Sequence, residues 1–159
     1  MSGNTAYDLD FYEWTQEQAR VLREAGSARL NVPVDWENVA EEIESMGRSD
    51  LTALRSHIAR IIEHLLKLEY SPARDPRSDW QVSAANHRLE AIGILEMSPS
   101  LRGKVELHFD RCWRDGRRLA ALGLKKDGVA ETSLPADCPY AMPQIMDDDW
   151  FPTNRHGLE

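Results

Sequence analysis

Three histidines, one arginine and a short acidic run are the side chains of this chain whose types and spacing could do chemistry. His57 and His64 stand seven residues apart, His87 follows, and Glu42 and Glu44 lie upstream, so facing helices could aim imidazoles and carboxylates at one metal ion. The spacing argues against a shared ion. Seven helical residues span about 10 Å, neither Glu-x-x-His nor His-x-x-x-His occurs, and His87-x-x-Glu90 is a single weak pair. No metal and no cofactor is therefore expected. Glu42, His64, Trp80 and Arg88 form the better candidate site, with an acid, an imidazole, an indole and a guanidinium that could meet between the second, third and fourth helices. Such a group could bind a small anion or a peptide carboxylate. The favoured reading is a polar seam that fixes helix register.

Other chemistries lack their parts. There is no Gly-rich phosphate loop and no Gly-x-Ser-x-Gly elbow. Glu41 and Glu42 are neighbours on a helix and diverge by about 100°, unlike a carboxylate pair held in a cleft. Cys112 and Cys138 share no Cys-x-x-Cys spacing and read as two reduced thiols. No catalytic residue can be assigned.

The elements that must position these groups are legible from a 3.6-residue rhythm, which predicts five main helices. The first covers about Asp8 to Ala25, with a kink near Thr15 and Gly26 closing it. After a linker containing Pro33, Asp35 caps a second helix from Trp36 to Met46, which Gly47 ends in a left-handed conformation. Ser49 caps a third helix that runs to Tyr70 before Ser71-Pro72, and its residues Leu54, Ile58, Ile61, Ile62, Leu65 and Leu68 cover a wide apolar arc. Ser78-Asp79-Trp80-Gln81 is a capping box that opens a fourth helix reaching about Met97. The apolar stripe of that helix, Trp80, Ala84, Ala91 and Leu95, also contains Arg88, whose permanent charge then needs a carboxylate or carbonyl partner. Ser98-Pro99 starts a fifth helix toward Leu122.

From Lys125 onward four prolines stand among Tyr140, Ile145, Trp150 and Phe151, which predicts an irregular aromatic-rich strap with a short helix from Pro143. The expected architecture is all-α: one domain over 1–159, a compact bundle of about five helices over 7–124 and a tail over 125–159.

Composition sets outer limits. With 42% hydrophobic and 29% charged residues the chain has the make-up of a soluble globule. No apolar run approaches the roughly 20 residues of a membrane span, and the start MSGNTAYDLD lacks the layout of a secretory leader. A cytoplasmic location is expected, with no membrane partner. The net charge of -8 is segregated: 11 acids and 4 bases to Asp50, 10 and 14 from Leu51 to Ala130, and 6 and 1 after that. Arg114, Arg117 and Arg118 are the nearest thing to a basic patch, and no block of five basic residues occurs. Nucleic-acid binding ranks behind the other readings for that reason.

Tyr7-Asp8, Trp14, Glu41-Glu42-Ile43-Glu44 with Gly47, His64-Leu65-Leu66-Lys67, Ser98-Pro99-Ser100-Leu101, Cys138-Pro139-Tyr140 and Phe151-Pro152 resemble, in the same order, the bacterial family called domain of unknown function twenty-nine. The resemblance implies a compact all-helical fold and no particular reaction, substrate or partner. Two function classes stay open. The favoured one is a protein-interaction module without catalytic activity, suggested by five Trp residues and the lack of a complete catalytic set. The other is a small-ligand- or metal-dependent enzyme with its polar site around His64.

Overall fold

The helical rhythm is realised along most of the chain, whose computed structural model describes residues 5–28 and 31–159. Met1 to Asn4, which open the stretch read as lacking a leader, and Arg29 and Leu30 of the linker before Pro33 lie outside the described residues. Among the described residues there are seven α-helices and no strand. They are α1 (Ala6–Leu9), α2 (Phe11–Ser27), α3 (Trp36–Tyr70), α4 (Arg77–Met97), α5 (Leu101–Leu107), α6 (Phe109–Leu124) and α7 (Met142–Met146). No described helix is long and apolar enough to cross a membrane. The chain divides into two compact units, Met1–Ala53 with Gly93–Leu107 and Leu54–Ile92 with His108–Glu159.

In the first unit the break between α1 and α2 falls at Asp10, earlier than the kink expected near Thr15. Asp10 caps α2 by accepting from the Glu13 amide at 2.8 Å, and also accepts from the Ser100 amide at 2.7 Å and the Ser100 hydroxyl at 3.0 Å. Fully buried Ser98 accepts from the Tyr12 amide at 3.0 Å, so the Ser-Pro-Ser segment is bonded to the first turn of α2 through both serines. Tyr7, Phe11 and Trp14 pack as an aromatic cluster with centroids 4.9 to 5.9 Å apart.

The expected helical hairpin is instead one 35-residue helix, α3. Asp35 does cap it, accepting from the Asn38 amide at 3.2 Å. Gly47 does not end it. A Cβ there would stand 2.3 Å from Thr15 Oγ1 and 3.1 Å from Tyr12 Cδ2, so glycine serves the close approach of α2 and not a left-handed turn. Ser49 is an exposed mid-helix residue.

The core of the second unit is the apolar arc of α3, with Leu54, Ile58, Ile61, Ile62, Leu65, Leu66 and Leu68 all buried. Gly116 of α6 crosses it closely: a Cβ would lie 2.6 Å from the Ala59 carbonyl oxygen. The fifth predicted helix is interrupted at His108, where φ -114° and ψ 20° leave the helical basin and no side-chain bond caps α6. The tail forms 3₁₀ turns at Lys125–Asp127 and Glu131–Ser133 and then α7, the short helix expected from Pro143. Gln144 holds its start by accepting from the Ala141 amide at 2.9 Å.

Candidate functional site

The four residues expected to converge do not. Glu42 is exposed on α3, and about six turns of the same helix separate it from His64, so its carboxylate cannot join a site there. Its neighbours carry the pairing in that region: Arg23 bonds Glu37 at 3.0 Å, Glu41 at 3.4 Å and Glu44 at 2.8 Å, while Arg48 bonds Glu41 and reaches Glu44 at 3.4 Å. The guanidinium of Arg23 holds the Glu44 carboxyl below the usual carboxylate range. Trp80 is buried in the core. Among the described residues no hydrogen bond or ring contact links His64, Trp80 and Arg88 to one another.

Arg88, 0% exposed, is the centre of a different construction. Its Nε donates to the Ile145 carbonyl at 2.8 Å, and its Nη2 donates to the carbonyls of Gln144 at 3.2 Å and Trp150 at 3.0 Å. The Phe151 ring lies under the guanidinium at 5.0 Å. Burial disfavours the charged form, with Asp148 and Asp147 partly opposing it. A buried guanidinium thus fastens α7 and the segment after it.

Other buried polar groups do the same work. Asn154 donates to the carbonyls of Leu68 at 2.8 Å and Ser71 at 2.9 Å, and Tyr140 donates its hydroxyl hydrogen to Glu69 at 2.5 Å. The Trp113 indole donates to the Ala136 carbonyl at 2.8 Å. Sequence reasoning missed Asn154 because its acceptors are main-chain carbonyls, which leave no mark in the sequence, and missed the Tyr140–Glu69 pair because its two side chains stand 71 residues apart.

The histidines do assemble, with His87 between the other two. His57 Nδ1 and His87 Nδ1 are 2.9 Å apart, and the His64 and His87 rings lie 6.1 Å apart at 18°. One imidazole of the close pair must donate and the other accept, so the contact tolerates one added proton and not two. His64 is pushed down to about 4, chiefly by burial, with Lys67, His87 and Arg60 adding to this and Glu63 opposing it. Burial also lowers His87, helped by His57 and Arg60.

Beside the rings, Glu63 accepts from Lys67 at 2.6 Å and Arg60 at 2.7 Å. Burial raises the Glu63 carboxyl, but those two cations outweigh it and hold it ionised. Gly123 leaves the room that Lys67 needs, since a Cβ there would stand 2.5 Å from Lys67 Cε. Among the described residues no group of three or more His, Cys, Asp or Glu is placed to hold a metal ion. Nδ1 of His64 is buried with no hydrogen-bond partner among them.

The basic patch read from the sequence is split. Arg117 donates to the carbonyls of Pro135 at 2.8 Å and Glu131 at 3.2 Å and pairs with the Glu131 carboxylate at 3.0 Å. Arg118 instead lines a half-open groove of about 530 Å³ with Ala121, Leu122, Lys125, Val129 and Glu131.

A family model described as "Domain of unknown function DUF29" matches residues 6–151. Among solved structures, an alpha-helical protein of unknown function from Rhodospirillum rubrum ATCC 11170 is similar at 25% identity and a TM-score of 0.75, covering 93% of each chain. No curated protein matches the chain.

Proposed function

This chain belongs to the DUF29 family, and on that premise we propose that it works as a protein-interaction module without catalysis of its own. The observation that carries the reading is the use made of the buried polar groups: Arg88 and Asn154 are bonded to carbonyls of the same chain and shut away from solvent, which keeps both from a substrate. The thiol of Cys112 is equally unsuited to attack, being buried and pushed up to about 11 by that burial, with Arg55 opposing. A cytoplasmic setting goes with this reading and is supported by two unpaired cysteines.

The test is photo-cross-linking in cells from single photoreactive residues at exposed Leu122 and Leu89. A discrete adduct of constant stoichiometry from either position is expected. No adduct from either position, with turnover of a small molecule by the purified chain, would refute it.

A second reading, a small-ligand- or metal-dependent enzyme, is favoured by one observation, the unpartnered Nδ1 of His64 beside two other imidazoles. Stoichiometric metal in the purified protein, lost on His87→Ala, would favour it.

A further inference from the structure

The groove at the end of α6 has a chemistry that names its occupant, an inference that rests on the interaction reading above. We propose that it binds an extended acidic peptide segment of a partner protein, with apolar side chains between two carboxylates. Arg118 and Lys125 are exposed, and neither makes an ion pair within 4.0 Å among the described residues. Exposed Arg114, one turn before Arg118 on α6, is likewise unpaired. The acid on the rim, Glu131, is already neutralised by Arg117 at 3.0 Å, so it does not cancel those cations.

Between the two positive groups the wall is apolar, formed by Ala121, Val129 and Leu122, the last 66% exposed. The groove therefore offers positive ends and an oily middle on a chain whose net charge is -8. Arg118 and Lys125 are seven residues apart, about 10 Å along the helix, which is roughly three residues of chain extended in the polyproline-II form, whose three-residue turn returns residues i and i+3 to one side. That selects the pattern acid-apolar-apolar-acid. Lys125 itself is the residue that closes the carbonyl end of α6.

Fluorescence anisotropy with the labelled peptide Gly-Glu-Leu-Leu-Glu-Gly tests this on the full chain. Saturable binding that weakens at least tenfold between 50 mM and 500 mM NaCl is expected. Arg118→Glu with Lys125→Glu should weaken it at least tenfold at unchanged helicity and melting temperature, and Leu122→Asp should do so too. Equal binding of the Lys-for-Glu peptide, unchanged binding by the double variant, or displacement by inorganic phosphate or a uridine dodecamer as potent as by unlabelled peptide would overturn the proposal. A cross-linked partner caught from Leu89 and none from Leu122 would end this inference while leaving the interaction reading intact.

Discussion

Replacing Arg88 by alanine should loosen the C-terminal segment before it harms the rest of the second unit. The guanidinium makes three hydrogen bonds to main-chain carbonyls, at 2.8, 3.2 and 3.0 Å. Bonds from a charged donor contribute about 1.5–3 kcal/mol each, so together they supply roughly 5–9 kcal/mol. Against that stands the cost of keeping the cation away from water, several kcal/mol, raised here by an Nη1 with no partner. The difference predicts a loss of about 3 kcal/mol for Arg88→Ala. In a chain of this length that lowers the melting temperature by roughly 6–12 °C. Arg88→Lys keeps the charge but not the planar fork, and should still lose about 2 kcal/mol.

The assay is urea unfolding paired with amide hydrogen exchange. Exchange should speed up first over Met142 to Phe151, because released carbonyls can be solvated only if α7 lifts away. An unchanged unfolding midpoint, or fast exchange confined to α3 while α7 stays protected, would refute the reasoning.

Gly47→Ala forces a Cβ to within 2.3 Å of Thr15 Oγ1 and should cost about 1–3 kcal/mol by urea unfolding, whereas a gain would mean helix propensity outweighs the crossing. His64 titrates near 4 in the fold against 6.5 unfolded, so its neutral ring stabilises fully above pH 6.5 and that contribution is lost as pH falls toward 4. Partial solvent access reduces the expected loss to about 2 kcal/mol, and His64→Ala should flatten that slope in unfolding midpoints at pH 8, 6, 5 and 4; parallel curves would sink the assignment. Cys112 is 1% exposed and Cys138 half-buried, so a thiol reagent followed by mass spectrometry should label Cys138 first and Cys112 only on unfolding.

How much of the fold was legible depended on whether a residue had one use or two. The apolar arc of α3 from Leu54 to Leu68 has one use, burial, and its period alone placed it in the core. Gly47 has two. In sequence it stands where a helix would end, between Met46 and a capping serine, and that punctuation was read as a turn. The same missing Cβ also lets two helices touch, and the contact with Thr15 lies some thirty residues away, beyond any local signal. Asp10 shows the reverse case: an acid read as part of a continuous helix is a cap, and its second partner, Ser100, is visible only in three dimensions.

The candidate site divides along the same line. That Arg88 is buried followed from its phase on α4, and that it needs an acceptor followed from its charge; which acceptor could not follow, because carbonyls are carried by every residue. Glu42 failed because the proposed meeting required a turn at Gly47 that α3 does not make. The histidines were judged too far apart for one ion on the geometry of a single helix, and the separation is real. What fills it is His87 from α4, 5.2 Å from His57 and 6.1 Å from His64 between ring centres, so the two α3 histidines share its ring as a common neighbour. The His57–His87 contact, which admits one added proton and not two, makes a proton-sensitive joint of the packing. Arg114 and Arg118 of α6, which make no ion pair or side-chain hydrogen bond among the described residues, are the cations that the proposed peptide would need.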